Sequence, residues 1–232
     1  MFNPFQGAAP MHVHREGRRF IAAAGIAAVV AMFVWIPLAA GLALLAAGCA
    51  LFFRDPERMT PVRDGLVVSA ADGRIVDVGP AVPPPELQLP PAPRTRISVF
   101  LSIFDVHINR APVDGTVLRT IHTPGRFRHA ADPIAGEANE RRSWLIETAD
   151  GQQVVVVQVA GLVARRIVAF AGQGQQLRAG ERLGLIRFGS RTDVYLPEGV
   201  VPLVAVGQRA VGGETVFADR AAGEPARRAE PR

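Results

Sequence analysis

The chain contains no lysine; all 26 of its basic residues are arginine. That excludes chemistry resting on a lysine amine, whether an internal Schiff base or a covalently held pyridoxal phosphate, biotin or lipoate. Cysteine is nearly absent too. Cys49 alone permits no intrachain disulfide and builds no cysteine-based metal site, so no metal is expected and the redox compartment stays undecided. Aromatic residues make up only 6% of the chain, the arginines are dispersed, and neither a helix-turn-helix nor a zinc motif appears, which argues against a nucleic-acid partner.

What is present begins with a basic balance, net +5 with a pI near 10.9, suited to acidic partners such as anionic lipid headgroups. Residues 20–53 carry no charge. That run exceeds both the ~20 residues of a membrane-crossing helix and the ~7–15 of a signal-peptide core. Either one tilted span or a helical hairpin turning near Pro37 and Gly41 fits. Arginines on both flanks (Arg15, Arg18 and Arg19; Arg54, Arg58 and Arg63) favour a transmembrane or re-entrant hairpin with both ends on the cytoplasmic side of the cell membrane. The organisation predicted is a basic tail over 1–19, a membrane segment over 20–53, a β-rich catalytic domain over 60–219 and a disordered polar tail over 220–232.

Beyond residue 60 the pattern turns to short β-branched runs: 66–69, 74–78, 97–103, 113–121, 144–148, 154–159, 165–170, 182–188 and 193–196. Asp-Gly pairs at 64–65, 72–73, 114–115 and 150–151 mark turns between them. The reading is a mainly β domain. Repeated turn-then-strand chemistry resembles the barrel-sandwich of lipoyl and biotinyl carrier domains, in architecture but not in function, since the modified lysine is missing. The proline-rich stretch 83–93 reads as an extended surface loop.

Three places carry candidate chemistry. In Arg187-Phe188-Gly189-Ser190 a strand runs into Gly-Ser, where glycine's backbone freedom could bring the Ser190 hydroxyl onto the Gly189 carbonyl. His107 lies among hydrophobic neighbours, a structural histidine or a proton donor. Asp72 is a turn residue or a group that polarises a partner.

Ordered along the chain, Ala71-Asp72-Gly73, Asp105-Val106-His107 with Pro112 and Gly115, Pro124-Gly125-Arg126-Phe127, Asn139-Glu140-Arg141 and Gly189-Ser190 resemble the phosphatidylserine decarboxylase family in its short bacterial or archaeal form. The match spans about residues 60–200. Longer members have a second histidine where Arg110 stands, so the resemblance leaves the processing base open. It implies self-cleavage between Gly189 and Ser190 into a large chain, 1–189, and a small chain, 190–232, which stay together. Ser190 becomes a pyruvoyl cofactor that forms a Schiff base with the amine of phosphatidylserine and accepts electrons as carbon dioxide leaves, giving phosphatidylethanolamine. His107 is the implied proton donor and Asp72 a further catalytic group. Arg110, Arg126 and Arg191 are candidates for the lipid phosphate. A homo-oligomer is left open. Against this stand a serine hydrolase using Ser190, which lacks the Gly-x-Ser-x-Gly elbow, a pyruvoyl decarboxylase for a soluble amino acid, and a membrane-tethered β module that binds a partner uncut.

Overall fold

The computed structural model describes residues 12–127, 138–161, 166–187 and 190–221. It divides into two compact units, Met1–Glu57 and Arg58–Arg232. In the first, helix α1 (Arg15–Met32) and helix α2 (Ile36–Phe52) form a hairpin. Strands β1 (His12–Val13) and β2 (Arg54–Asp55) pair antiparallel at its base and bring the chain back to where it entered. Ala24, Ala28 and Ala31 form a small-residue stripe at helical spacing, and the Phe20 and Phe53 rings stack 5.6 Å apart.

The expectation of a membrane-crossing hairpin is corrected in two respects. The break falls at 33–35, not near Pro37 and Gly41: Pro37 sits in the first turn of α2, where its missing N–H is tolerated, and Gly41 lies within the helix. Among the described residues, no helix is long and apolar enough to cross a membrane. The reason is a division of labour. Helix α1 spends its first turns on Arg15, Glu16, Arg18 and Arg19. Helix α2 is apolar but has 17 residues, ~25 Å at 1.5 Å per residue against ~30 Å of hydrocarbon.

The second unit is mainly β, as expected. Its strands are β3 (Leu66–Val68), β4 (Gly73–Ala81), β5 (Arg94–Leu101), β6 (Ile108–Arg110), β7 (Gly115–Thr123), β8 (Arg141–Glu147), β9 (Gln153–Ala160), β10 (Ile167–Ala169), β11 (Gln176–Leu177), β12 (Arg182–Ile186), β13 (Ser190–Tyr195), β14 (Arg209–Ala210) and β15 (Val216–Asp219). A curled, antiparallel eight-stranded sheet runs β11-β7-β8-β9-β13-β5-β4-β14. Two smaller sheets, β10-β12-β6 and β15-β3, accompany it. The core lies between them. Ile97, Val99, Trp144, Val156 and Val194 from the large sheet pack with Ala111, Leu183, Val67 and Phe217.

Strands β9 and β13 are buried on both faces, which explains why Val154–Val159 reads as an almost unbroken apolar run. The cover on the outer face is the proline-rich stretch. Expected as an extended surface loop, it instead carries a short 3-10 helix (Pro85–Leu87) whose Leu87 is fully buried against Val155, Val157 and Tyr195. Proline content sets the stiffness of such a segment but not what it covers. Glu86 ties it down, accepting from Arg141 Nε (2.8 Å) and Nη2 (3.0 Å) and from Ser143 Oγ (2.8 Å).

Burial pushes the Glu86 carboxyl up, but the Arg141 and Ser143 hydrogen bonds outweigh it and hold it at about 2. A depressed carboxyl contributes stability above the ordinary carboxylate range and loses it as pH falls toward the folded value. Glu86→Gln should therefore be less stable than the parent at pH 6, by about 1–3 kcal/mol. In denaturant melts the gap should close between pH 4.5 and 2. A gap independent of pH would show that the ionised carboxylate is not the stabilising group.

Candidate active site

Ser190 opens β13 and has a neighbour on each side, Leu101 on β5 and Ala160 on β9. It is fully buried, and its hydroxyl has no hydrogen-bond partner among the described residues. Leaving such a group unpaired costs about 1–3 kcal/mol, which singles it out. Ala160 turns both backbone groups away from it. Its N–H donates to Glu140 O (2.9 Å) and its carbonyl accepts from Asn139 Nδ2 (2.8 Å). Ser190 and Ala160 thus form a non-hydrogen-bonded pair, the kind in which facing side chains come closest. Gly189, the other half of the expected cleavage site, lies outside the described residues.

Two of the sequence motifs prove to be one piece of structure. Arg126 N donates to Ala138 O (2.7 Å) and Glu140 N to Arg126 O (3.0 Å). Gly125 lies so close that a Cβ there would overlap the Asn139 backbone. The Pro-Gly-x-Phe and Asn-Glu-Arg segments together place Asn139 on the strand end facing Ser190. The Arg126 side chain itself is exposed.

His107 stands just before β6 and is fully buried. Its carbonyl accepts from Ile186 N (3.3 Å), the last residue of β12 and four positions before Ser190. Its Nδ1 lies 2.9 Å from Asp105 O. A carbonyl only accepts, so Nδ1 carries the hydrogen and in the neutral ring Nε2 holds the lone pair.

Asp72 lies in the turn before β4. Gly73 follows it at φ 152°, pressed on Phe100 O where a side chain would not fit. Arg74 pairs with Phe100 and Ser190 with Leu101, so Asp72 and Ser190 flank the same end of β5, two strand spacings or ~10 Å apart in the sheet. Arg58 Nη2 donates to both Asp72 oxygens (2.8 and 2.9 Å), and Gly212 N lies 3.3 Å away. Burial nevertheless dominates and raises the Asp72 carboxyl above its ordinary value.

A buried polar chain runs beneath β13. Trp144 Nε1 donates to Gln158 Oε1 (3.1 Å), and Gln158 Nε2 donates to Asn109 Oδ1 (2.7 Å). An indole N–H only donates, so it sets the direction of every link after it. Asn109 Nδ2 is left as a buried donor with no partner among the described residues. Gln158 faces Thr192 across the ladder, and Thr192 Oγ1 is likewise buried with no partner among the described residues.

Of the phosphate candidates, Arg191 lies on the opposite face of β13 from Ser190, buried and paired with Asp193 at 2.9 Å. Arg110 is buried, donates to Gly180 O (2.7 Å) and lines a cavity of about 490 Å3 with Arg58, Arg178 and Arg182. A larger cavity, about 790 Å3, is lined by Asp64, Asp114, Asp150, Arg63 and Arg220, at the far end of β8 and β9 from Ser190. Among the described residues no group of three or more His, Cys, Asp or Glu side chains could hold a metal ion.

Sequence reasoning missed Arg58, Asn109, Gln158 and the bracing role of Asn139. Only Gln158 carried a signal, as one polar residue inside an apolar strand.

Fold and site together describe a mainly β enzyme domain organised around one buried serine at the start of a central strand. The family model for phosphatidylserine decarboxylase matches residues 45–218. The chain is 53% identical over 220 residues to a protein of Paramagnetospirillum magneticum named phosphatidylserine decarboxylase proenzyme, covering 95% of this chain and 92% of that one. Proteins of the same name from Cereibacter sphaeroides and Ruegeria pomeroyi are each 52% identical over 207 residues, covering 89% of this chain and 89% and 94% of theirs. The chain belongs to the phosphatidylserine decarboxylase family, and it is a carboxy-lyase.

Removing Arg58 leaves Asp72 as a buried, unpaired carboxylate. Arg58→Met should lower stability by about 1–3 kcal/mol at pH 7. It should also raise the Asp72 carboxyl further, so the loss should shrink as the buffer is acidified. Denaturant melts across pH test both; a loss that does not change with pH would mean that the guanidinium contributes by packing alone.

Proposed function

We propose that the chain is a proenzyme that cuts itself between Gly189 and Ser190 and then decarboxylates phosphatidylserine to phosphatidylethanolamine. The observation that carries this reading is the Ser190 hydroxyl, buried at the mouth of β13 with no partner among the described residues. In the cut, Ser190 Oγ adds to the preceding carbonyl carbon and the peptide becomes an ester. Elimination then frees a carboxylate on the large chain, and the remaining dehydroalanine takes up water and loses ammonia to leave a pyruvoyl cap.

The pyruvoyl ketone supplies an electron sink for the carboxylate-bearing carbon of the substrate. The residues around it hold and move protons. In its neutral form His107, whose Nδ1 hydrogen is directed at Asp105 O, would offer Nε2 to the proton of the Ser190 hydroxyl. In this scheme His107 is also the processing base, a role the sequence left open. Once protonated, the same Nε2 can deliver the proton that replaces the departing carboxylate. Asp72, held by Arg58, polarises the same end of the sheet. Arg110, which lines the 490 Å3 cavity, is the candidate carried forward for the lipid phosphate. Arg191, already paired with Asp193, is not carried forward.

The small chain would hold β13, β14 and β15. Each pairs with a strand of the large chain, which supports the two remaining together after the cut. The hairpin supports a place at the cell membrane, with the catalytic domain on the cytoplasmic face. Met32, Phe33, Val34, Trp35, Ile36 and Leu44 are all more than half exposed, a contiguous apolar surface of the kind that lipid covers. Both helix ends return to one side, so a re-entrant seat is the form proposed.

On a denaturing gel the parent should run as two bands and Ser190→Ala as one uncut band near 24.8 kDa. His107→Ala should stay mostly uncut as well. A normal two-band pattern from Ser190→Ala would overturn the cleavage site. Two bands from His107→Ala with decarboxylation lost would confine His107 to the later proton transfer.

A further inference from the structure

The turn between β5 and His107 presents two large apolar side chains to solvent. Ile103 is 56% exposed and Phe104 69%. This is not slack chain. The Asp105 carboxylate accepts from Ser102 N (2.8 Å) and Ser102 Oγ (2.7 Å), and Asp105 N donates back to Ser102 O (2.9 Å). Arg209 holds the other carboxylate oxygen. Burial pushes the Asp105 carboxyl up, but the bonds from Ser102 and the charge of Arg209 bring it below its usual value, so the latch is ionised at neutral pH. The turn joins Leu101, the ladder partner of Ser190, to His107.

Its rim is basic. Arg209 on β14 lies directly opposite Arg74 on β4 in the antiparallel ladder, and both are exposed. Like charges in facing positions repel, a penalty relieved when an anion lies over both. Asp105 offsets one of the two, which leaves net positive charge at the rim. Val76, two residues along β4 from Arg74 at a bulge in the ladder, is also exposed. A stiff apolar tip flanked by two arginines is the composition that anionic membrane surfaces retain: apolar groups enter the acyl boundary while cations stay with the phosphates.

We propose that the Ser102–Asp105 turn is a bilayer-docking tip. Ile103 and Phe104 enter an anionic leaflet, and Arg74 and Arg209 rest on its phosphates. The tip sets the Ser190 end of the sheet against the headgroup plane, through contacts separate from the helical hairpin. This rests on the reading that the substrate is a bilayer lipid, phosphatidylserine.

The test uses the full chain. Phe104→Trp is placed in a Trp35→Phe background, where Trp144 remains as a constant buried signal. Mixed phosphatidylglycerol and phosphatidylcholine vesicles should shift the new indole emission to the blue. The same vesicles brominated on their acyl chains should quench it to about half, whereas phosphatidylcholine alone should do little. In a second arm, Ile103→Ser with Phe104→Ser should lower the ratio of decarboxylation on vesicle phosphatidylserine to that on monomeric short-chain phosphatidylserine about tenfold, the effect of roughly 1.4 kcal/mol of lost insertion. An emission unmoved by vesicles, or a ratio left unchanged, overturns the proposal. So does a concentration-dependent dimer in gel filtration that the double substitution abolishes, because the pair would then be a protein contact. If the parent releases no carbon dioxide from either lipid form, the functional reading fails, while the fluorescence arm still decides the docking.

Discussion

Strand β13 has a neighbour on each side from its first residue, and both faces of the sheet are covered around it. That pairing takes Ser190 out of water and holds its backbone to Leu101 and Ala160. A hydroxyl in such a place has lost its hydrogen bonds to solvent and finds no replacement among the described residues, a state that a stable fold tolerates only where something else is gained. The surrounding construction serves the same end of the sheet. Asn139 closes the outer carbonyl of Ala160, and Gly125 makes room for Asn139. Gly73 lets the Asp72 turn press on β5, and the β12–β6 pairing brings His107 alongside the approach to β13.

The polar chain from Trp144 through Gln158 to Asn109 shows how one donor-only group imposes direction on a buried network. Reverse either amide and two donors or two acceptors would face each other in a fully buried site, at a penalty larger than the net value of the bond itself. Gly184 leaves the space the Gln158 amide occupies, since a Cβ there would come within 2.9 Å of Nε2. The network therefore depends on β6, β8, β9 and β12 together and belongs to no single motif.

The helical unit and the β unit divide two tasks. Helix α1 is amphipathic at its start and packs through small residues, while α2 is apolar around its circumference. Only Ala39 and Phe52 of α2 are buried, so most of its apolar side chains form an open surface. The β unit keeps its apolar residues inside, apart from a few such as Ile103 and Phe104 on their latched turn. These two surfaces differ in kind, one a broad helical face and the other a compact tip beside the reactive end of the sheet.

By itself the sequence determined the β class, the run 20–53, the absence of lysine and cysteine chemistry, and the order of the motifs that mark the family, because period-2 patterning, glycine-bearing turns and missing side-chain types are local properties of a chain. It could not determine that the hairpin would break at 33–35, that the proline stretch would cover a sheet face through Leu87, or that Arg191 would turn to Asp193 while Ser190 turned inward. The last of these depends on strand register, where a shift of one residue exchanges the two faces, and the others on what each segment packs against. Arg58 meets Asp72, and Asn109 meets Gln158, across 14 and 49 positions of chain. Neither pairing leaves a trace in spacing or composition, for only the packing of distant strands into one core decides which polar groups must satisfy one another.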